Sequence, residues 1–505
     1  MRKTGTLAAA LVVATLLGGC TGEAAGPAEV ASATRHSGQM SFEPCSLESV
    51  GGGVATPAYC TRHEVPEDPA AEGGRRIALN VAWLPATSQG GASDDPVFFL
   101  AGGPGQAATE HAATVSAALA DVRKTRDIVL VDQRGTGQSN ALTCLDGDDK
   151  PMQMEQAAPT TADYARFAGA CAQALAHRAD PRLYTTTEAV ADLESVRAAL
   201  GVEQINLVGV SYGTRVAQQY AARHPQHVRT MVLDGVAPND MVVGGEFAST
   251  LEDALALQSA QCKRLPECRE RFGGDMRVQL REVIARLEAA PVEVEFRDPA
   301  TGKARRDEVT KDTVAGLAFA FSYAPQTASL LPLMLDEAAR GRYGPLMSLA
   351  QMMSGEMAGQ MTRGMQWSVI CAEDAPRFKA RPADADTVLG EELAAMFFAP
   401  CESWPTGTAP ADFHVPLQSS LPVLLLSGEI DPVTPPANAE RVLHGLSNGR
   451  HFVLQGQGHN VLSVGCMPKL IGQFLESADP STLEAKCLDT VTYVPPFVDF
   501  NGWSP

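Results

Sequence analysis

The feature that most constrains the fold is the sequence Gly-Val-Ser-Tyr-Gly at residues 209–213. It closes an apolar run, 205–210, and opens a helix-like run, 214–224. A strand, a tight turn that carries a serine, and a helix form the context of a nucleophile elbow. The turn is so sharp that the positions two before and two after the serine must be small, and both are glycine. The pattern predicts that Ser211 is a nucleophile raised above a sheet edge, whereas an ordinary turn with a serine N-cap is the alternative.

An elbow of this kind needs donors for a developing oxyanion. The helix N-terminus and the backbone N–H of Tyr212 would point at the charge. The second donor should come from an early strand-to-helix loop. The sequence Gly-Gly-Pro-Gly at 102–105 follows the apolar run 97–100, and glycine lets the bare backbone approach a substrate. We therefore expect Gly103 to be the second donor, with Gly105 in reserve.

The same loop also fits a dinucleotide-binding fingerprint. The fingerprint would be Gly103-x-Gly105-x-x-Ala108, with Asp132 at the end of the next strand. Pro104 counts against this alternative, because it removes an amide donor from the loop that would hold the pyrophosphate. A nucleotide site would also leave the serine elbow without a role.

A hydroxyl nucleophile needs a base, and the base needs an orienting acid, in the chain order serine, acid, histidine. The apolar run 423–426 leads into a loop that carries Asp431. A short strand at 452–454 is followed by a glycine-rich turn that presents His459. These two residues are predicted to complete a catalytic triad with the elbow serine. Asp234, which also ends a strand, is the rival for the acid.

Other histidines lie in less suitable settings. His224 and His227 come just after the elbow helix, His444 falls in a helical stretch, and His451 starts a strand. None of these four has the glycine-rich setting after a late strand that a catalytic histidine needs in this order.

The chain as a whole alternates between strands and helices from residue 76 to 235. Such alternation predicts an α/β fold with a mostly parallel sheet and helices on both faces. Residues 241–365 then contain long Leu-, Met- and Ala-rich helical segments with few strand signals, such as Val292–Phe296. A helical block inserted into such a sheet reads as a cap over the strand ends. The predicted division is a core at 45–240, a helical cap at 241–365 and the rest of the core at 366–505.

The N-terminus bears on the compartment. Arg2 and Lys3 precede an apolar stretch, 7–17, that is too short to span a bilayer and ends shortly before Cys20. This arrangement resembles a bacterial lipoprotein signal, in which the cysteine is lipidated and becomes the mature N-terminus. Residues 1–20 would then be a signal peptide and 21–44 a flexible tether. The expected location is the cell envelope, with a lipid anchor on the periplasmic side or the cell surface; a plain secretory signal is the alternative.

The chain has eleven cysteines, so ten remain without Cys20. An even number of cysteines in an exported protein suggests disulfides. Pairing of sequence neighbours is expected, with free buried thiols as the alternative. The expected pairs are Cys45–Cys60, Cys144–Cys171, Cys262–Cys268, Cys371–Cys401 and Cys466–Cys487. No Cys-x-x-Cys occurs, which argues against a zinc site. A formal charge of −19 argues against nucleic acid as a partner.

Together the motifs resemble the proline iminopeptidase and tripeptidyl aminopeptidase branch of the α/β-hydrolases over about residues 76–505. The likeness rests on 102–105, on Asp-Gln-Arg-Gly-Thr-Gly-Gln-Ser at 132–139, on the elbow, on Leu-Asp-Gly-Val at 233–236, on Asp-Pro-Val-Thr-Pro at 431–435 and on Gly458-His459. The Cys371 segment is similar to the C-terminal region of tripeptidyl aminopeptidases. Ala101 departs from the histidine that proline iminopeptidases often carry there. The resemblance implies an α/β-hydrolase fold and serine peptidase chemistry at peptide N-termini.

An aminopeptidase must also bind a free ammonium group, and a carboxylate near the cleft would do so. Glu373 and Asp374 follow the cap and are the candidates, with a solvated acidic turn as the alternative. Arg134 is interpreted as a structural residue. Six methionines in the cap region are expected to fill a helical core rather than to line a permissive pocket. They are Met347, Met352, Met353, Met357, Met361 and Met365.

The leading hypothesis is therefore a lipid-anchored serine aminopeptidase that acts on peptide substrates and needs no metal or cofactor. An esterase or lipase that uses the same triad is the main alternative. A non-catalytic binding protein on an inherited fold is a third. The sequence leaves open the preferred residues, the length of the released fragment and the oligomeric state.

Overall fold

A computed structural model of the chain describes residues 33–49, 54–88, 91–154, 160–273, 275–359 and 361–502. The predicted signal peptide, Cys20 and the first part of the predicted tether lie outside the described residues. Within the described ranges, no helix combines the length and the apolar character needed to cross a membrane.

The described strands form one ten-stranded sheet and a separate two-stranded hairpin. The strands are β1 (Arg35–Ser37), β2 (Met40–Leu47), β3 (Thr56–Pro66), β4 (Arg76–Leu84), β5 (Val97–Leu100), β6 (Ile128–Val131), β7 (Ile205–Val210), β8 (Val228–Asp234), β9 (Val292–Arg297), β10 (Ala304–Val309), β11 (Val423–Gly428) and β12 (Gly449–Leu454). The order in the large sheet is β1-β2-β3-β4-β6-β5-β7-β8-β11-β12. Six neighbouring strands of this sheet, β6, β5, β7, β8, β11 and β12, are parallel to one another. Strands β1 to β4 pair antiparallel, and β4 is antiparallel to β6.

Helices cover both faces of this sheet, as the alternating pattern predicted. The helices are α1 (Ala112–Ala118), α2 (Thr161–Leu175), α3 (Thr186–Leu200), α4 (Tyr212–Arg223), α5 (Phe247–Arg264), α6 (Pro266–Phe272), α7 (Met276–Ala289), α8 (Lys311–Ser322), α9 (Pro325–Ala328), α10 (Leu331–Ala339), α11 (Gly344–Gly359), α12 (Arg363–Val369), α13 (Glu392–Phe398), α14 (Pro436–Leu443) and α15 (Met467–Ser477).

The central strands β5 and β6 are apolar at every position because both of their faces are buried. Along β5, Phe98 and Leu100 join the core beneath α3 and α4, whereas Val97 and Phe99 join the core beneath α1 and α15. The α/β-hydrolase class predicted from the sequence is confirmed. Parallel strands end at the same edge of a sheet, so the loops after β5, β7, β8 and β11 meet there.

The insertion between β8 and β11 is mainly helical and includes the hairpin β9–β10. It has its own apolar core, in which Leu280 and Phe321 are fully buried. At the predicted boundary of residue 365, α12 runs on into a π-helical turn at Ile370–Asp374, and Met365, Trp367 and Val369 pack in the main core with the sheet strands. The sheet resumes only at Val423.

The predicted tether 21–44 was too long. Strand β1 lies within its last ten residues, β2 begins there, and β2 pairs with β3 in the main sheet. Met40 and Phe42 are buried on alternate positions, and Phe42 packs edge-to-face on Trp83 with ring centroids 5.3 Å apart. This period of two is the signature of a half-buried strand.

All five predicted disulfides are present. They join Cys45 to Cys60, Cys144 to Cys171, Cys262 to Cys268, Cys371 to Cys401 and Cys466 to Cys487. Cysteines 6 to 30 residues apart are linked, so each bridge closes a short local loop. Such loops restrict the unfolded chain and stabilise the fold.

Candidate active site

The elbow serine occupies the tight turn between β7 and α4. Its backbone has φ of 55° and ψ of −125°, a conformation that costs about 1–3 kcal/mol and clusters at functional sites. A Cβ on Gly209 would lie 2.5 Å from the carbonyl oxygen of Gly213, and a Cβ on Gly213 would lie 2.2 Å from the carbonyl oxygen of Leu100. The steric explanation for both glycines therefore holds, and Ser211 has the geometry of a nucleophile elbow.

The loops after β11 and β12 bring an acid and a histidine together. His459 Nδ1 lies 2.7 Å from Asp431 Oδ2. The Thr434 hydroxyl donates to the same oxygen at 2.8 Å. Asp431 Oδ1 accepts hydrogen bonds from the backbone N–H groups of Val433 and Thr434, at 2.9 and 2.8 Å. The carboxylate is thus held by several donors, in an orientation that fixes the imidazole.

The electrostatics of the pair favour its charged form. Burial opposes ionisation of Asp431, but the charge of His459 and the hydrogen bonds to the carboxylate lower the pKa of Asp431 overall. Burial also opposes protonation of His459, but the charge and the hydrogen bond of Asp431 raise the pKa of His459 overall. An imidazole in this setting is a stronger base than a free histidine.

The end of β8 connects this pair to the elbow. The backbone N–H of Ser211 donates to the Asp234 carbonyl at 2.8 Å. A Cβ on the next residue, Gly235, would lie only 2.9 Å from His459 Cε1. The elbow and the imidazole therefore both abut the same short piece of main chain, and the structure brings Ser211, His459 and Asp431 to one edge of the sheet.

Asp431, rather than the rival Asp234, contacts His459. The Asp234 carboxylate instead accepts, on Oδ2, the backbone N–H groups of Val461 and Leu462, which follow His459 in the same loop. Among the remaining histidine candidates, His451 is hydrogen-bonded to Ser427 at 2.9 Å.

His224 and His227 follow the C-terminal end of α4. One ring nitrogen of each histidine and one carboxylate oxygen of Glu194 all lie within 4.8 Å of one another. That carboxylate already accepts hydrogen bonds from Arg197 at 2.7 Å and from the Tyr220 hydroxyl at 2.7 Å. The two histidines therefore belong to a hydrogen-bonded cluster separate from Ser211.

A cavity of about 940 Å³ opens over the serine. Ser211, Tyr212, Gly103 and Thr434 form its floor, and the helical insertion supplies most of the wall. The wall is largely apolar, and part of it is formed by Phe247, Leu317, Phe319, Met347, Met353 and Met361. The expectation that the methionines only fill a core was therefore wrong for these three, whereas Met365 is fully buried in the main core.

Both predicted oxyanion donors lie on this floor. Gly103 has φ of +109°, and a Cβ there would lie 2.6 Å from the backbone nitrogen of Gly105, so only glycine fits. The Gly105 carbonyl accepts from the Thr362 N–H at 2.9 Å, which ties the loop to the insertion. Tyr212 is the first residue of α4, so its N–H is one of the unpaired donors of a helix N-terminus.

The prediction that Glu373 and Asp374 bind substrate is contradicted by their positions. Their exposed fractions are 1% and 0%, and neither belongs to the cavity lining. Asp374 pairs with the equally buried Arg215, whose Nη1 lies 3.1 Å from both carboxylate oxygens. Arg215 Nη2 also donates to the Met241 carbonyl at 2.7 Å. Because Arg215 lies on the elbow helix, the pair braces that helix against the insertion.

Glu373 is connected to the elbow by a chain of hydrogen bonds. Its carboxylate accepts from the Thr186 N–H at 2.7 Å and the Thr186 hydroxyl at 2.9 Å. That hydroxyl lies 2.6 Å from the Tyr212 hydroxyl. Burial raises the pKa of Glu373 to about 8, although Arg215 opposes the shift. A carboxyl group that is buried and hydrogen-bonded in this way is not available to bind a substrate ammonium group.

The Asp-Gln-Arg-Gly motif is structural, as interpreted for Arg134. Its guanidinium makes two 2.7 Å hydrogen bonds to Asp192 and donates to the carbonyls of Glu67 and Leu183. Asp132 is also fully buried. Its carboxylate accepts from Thr109 and Asn80 at 2.9 Å, so the acid required by the nucleotide alternative is already engaged.

Two residues near the pair were missed by sequence reasoning. Thr434 follows Asp431 by three positions, and an Asx-turn signal in Asp-Pro-Val-Thr could have identified it. Tyr323, just after α8, accepts the His459 N–H on its carbonyl at 2.7 Å and packs its ring edge-on against the imidazole at 5.4 Å. No local signal links it to His459, because 136 residues separate the two.

The chain resembles known proteins in two regions and along almost its whole length. Residues 95–290 match the alpha/beta hydrolase fold family, and residues 386–487 match the family described as TAP-like protein. The serine protease Hip1 of Mycobacterium tuberculosis is 26% identical over 95% of this chain and 96% of its own. Tripeptidyl aminopeptidase of Streptomyces lividans is 31% identical over 42% and 41%, and proline iminopeptidase of Neisseria gonorrhoeae is 29% identical over 28% and 32%.

These matches cover the segments that carry the elbow, the acid and the histidine. The chain therefore carries an alpha/beta hydrolase region and a TAP-like region, and it is similar to named tripeptidyl aminopeptidases and proline iminopeptidases.

Proposed function

We propose that the protein is a serine peptidase of aminopeptidase type, which releases residues or short peptides from peptide N-termini through an acyl-enzyme. The observation that carries the proposal is the His459–Asp431 pair beside the Ser211 elbow, with Ser211 and Thr434 in the lining of one large cavity. The similarity to a named serine protease and to named aminopeptidases supports the peptide substrate class.

The proposed reaction follows from the positions of these groups. Asp431 accepts the Nδ1–H of His459 and so leaves Nε2 free as the base for the Ser211 hydroxyl. Ser211 Oγ attacks the carbonyl carbon, and the N–H groups of Gly103 and Tyr212 stabilise the oxyanion. The histidine then gives its proton to the leaving amine, and water resolves the acyl-enzyme by the same route.

The ammonium group of the substrate needs a carboxylate other than Glu373 and Asp374. Three carboxylates of the insertion line the cavity, those of Asp307, Glu308 and Asp312. Asp307 and Glu308 lie on β10, and Asp312 lies in the first turn of α8. All three residues are exposed to solvent. The negative charge of one of them would attract the ammonium group and orient an N-terminus toward the serine.

We expect the enzyme to hydrolyse aminoacyl or tripeptidyl p-nitroanilides with a free N-terminus and to turn over their N-acetylated forms at least about tenfold more slowly. The acetyl group removes the charge, and one lost charge interaction of about 1.4 kcal/mol is worth tenfold. Steady-state release of nitroaniline from the matched free and blocked pairs would measure the ratio.

A matched variant tests the cavity carboxylates. Asp312→Asn should raise KM for the free substrates and leave that for the blocked ones unchanged. If ester substrates alone are hydrolysed, and blocked ones better than free ones, the apolar wall belongs to an esterase or lipase. Failure to turn over every free amide would contradict the aminopeptidase function.

We further propose that Cys20 carries a lipid anchor and holds the protein in the cell envelope. The short apolar segment that precedes Cys20 supports this, as do five disulfides, which form in oxidising compartments. Several acyl chains on one residue anchor firmly, since each buried CH₂ contributes about 0.8 kcal/mol.

Cells that express the full chain and receive an alkyne-tagged fatty acid should yield labelled protein in the membrane fraction. Cys20→Ser should abolish the label, whereas Cys45→Ser, which breaks a disulfide, should not. Equal labelling or equal membrane content of the wild type and Cys20→Ser would show that the segment is a plain secretory signal.

A further inference from the structure

Asp234 makes contact with both halves of the proposed catalytic machinery. It is the last residue of β8 and is fully buried. Its backbone carbonyl accepts the N–H of Ser211 at 2.8 Å. Its carboxylate Oδ2 accepts the N–H groups of Val461 and Leu462, which follow His459 in the same loop, at 2.7 and 2.9 Å. One residue thus ties the elbow to the histidine loop.

The other carboxylate oxygen is unusual. Asp234 Oδ1 is buried and has no hydrogen-bond partner among the described residues. A buried polar atom without a partner costs about 1–3 kcal/mol, more if it is charged. An arginine side chain or a further backbone donor at Oδ1 would remove this cost. The described residues supply neither, so the charge of an ionised Asp234 is balanced only by groups that do not contact Oδ1.

The charged and titratable groups that face it are few. His459, in the loop after β12, attracts the charge of Asp234 when His459 is protonated. Asp431, in the loop after β11, repels that charge. Tyr323, at the end of α8, faces His459 from the insertion. Burial raises the pKa of Asp234 to about 7, while the two amides and His459 oppose that rise.

We infer that Asp234 is a positioning residue that fixes the His459 loop against the nucleophile and whose negative charge stabilises the imidazolium formed when His459 takes the serine proton. This inference rests on the proposed function. When His459 acts as the neutral base, the carboxylate of an ionised Asp234 has only the backbone N–H groups of Val461 and Leu462 as partners. In the transition state the imidazolium is in direct contact with Asp431 and interacts with Asp234 through space, so the attraction to Asp234 is stronger there than in the ground state, as catalysis requires.

The sign of the effect on pH dependence follows directly. The negative charge of Asp234 raises the pKa of His459. Removing it lowers the pKa of His459, so the acid limb of kcat/KM should move to lower pH. The plateau should fall as well, because the imidazolium of the transition state loses a stabilising charge.

Asp234→Asn is the discriminating variant, because its amide oxygen can still accept from Val461 and Leu462 while the charge is lost. We expect kcat/KM on a free peptide p-nitroanilide, measured over about pH 5 to 9, to fall about tenfold at its plateau and its acid limb to move to lower pH. An unchanged profile would overturn the inference and leave Asp234 as a loop anchor alone. Asp234→Ala, which also removes the oxygen that accepts the N–H groups of Val461 and Leu462, should be slower still.

A measurement on the wild-type protein decides the matter independently of the variants. The ¹³C resonance of His459 Cε1, followed by NMR across the same pH range, should show two inflections, its own and that of Asp234. A single inflection would overturn the inference. This readout needs no turnover, so it separates failure of the inference from failure of the proposed function, which would appear as absence of fluorophosphonate labelling at Ser211.

Discussion

Replacing Ser211 with alanine is expected to lower kcat for a free peptide p-nitroanilide on the order of 10⁶-fold. Without Oγ no acyl-enzyme forms, and the remaining groups can stabilise only the direct attack of water. His459→Ala should cost about as much, because the base has no role without the nucleophile. The double variant should be no slower than either single one, since residues that act as a unit are not additive.

Steady-state kinetics and fluorophosphonate labelling would check this together. Labelling should disappear in Ser211→Ala and persist in Ser447→Ala, an exposed serine that does not line the cavity. A Ser211→Ala protein that keeps more than about a hundredth of the activity would place the nucleophile elsewhere, because a missing hydrogen bond alone accounts for such a modest loss.

Replacing Arg215 with methionine is expected to destabilise the fold by about 3–5 kcal/mol. The guanidinium and both carboxylates beside it are fully buried, with Nη1 at 3.1 Å from Asp374 and 3.9 Å from Glu373. Without the cation, Asp374 must stay charged and unpaired or become protonated, and either state is costly in a dry interior. Denaturant unfolding without reductant, followed by tryptophan fluorescence, would measure the loss.

Arg223→Met is the matched control, because Arg223 lies on the same helix and pairs with Asp412 at the surface. Exposed pairs are worth about 0–1 kcal/mol. The double variant Arg215→Met, Asp374→Leu should recover part of the stability by removing the unpaired charge. Equal stability of Arg215→Met and Arg223→Met would show that the buried pair does not brace the elbow helix.

The elbow and the triad were predictable because the relevant constraints are local or ordered along the chain. Gly209 and Gly213 are required by contacts within a few residues of the serine, so the sequence around Ser211 states the geometry of the turn. Asp431 and His459 each follow an apolar strand signal in the order that the fold imposes. The strand bounds at Val97–Leu100 and Ile205–Val210 agree with the runs read from the sequence.

The roles of Glu373 and Asp374 were not predictable in the same way. Two adjacent carboxylates in a sequence are usually solvated. No residue near them in the sequence indicates that their partner is Arg215, which lies more than 150 residues earlier. The same holds for the methionines. Apolar residues at helical spacing show that a helix has a buried face. They do not show whether that face packs against other helices or borders a cavity.

By itself, the sequence determined the α/β class, the elbow, the order of the triad and the neighbouring disulfide pairs, because these depend on backbone sterics and on residues close in the chain. Only the tertiary structure decided which buried carboxylates are engaged and which face the cavity. It also decided that the Asp234 carboxylate binds the backbone just after His459. Such choices depend on desolvation and on long-range partners, and both exist only once distant segments have packed together.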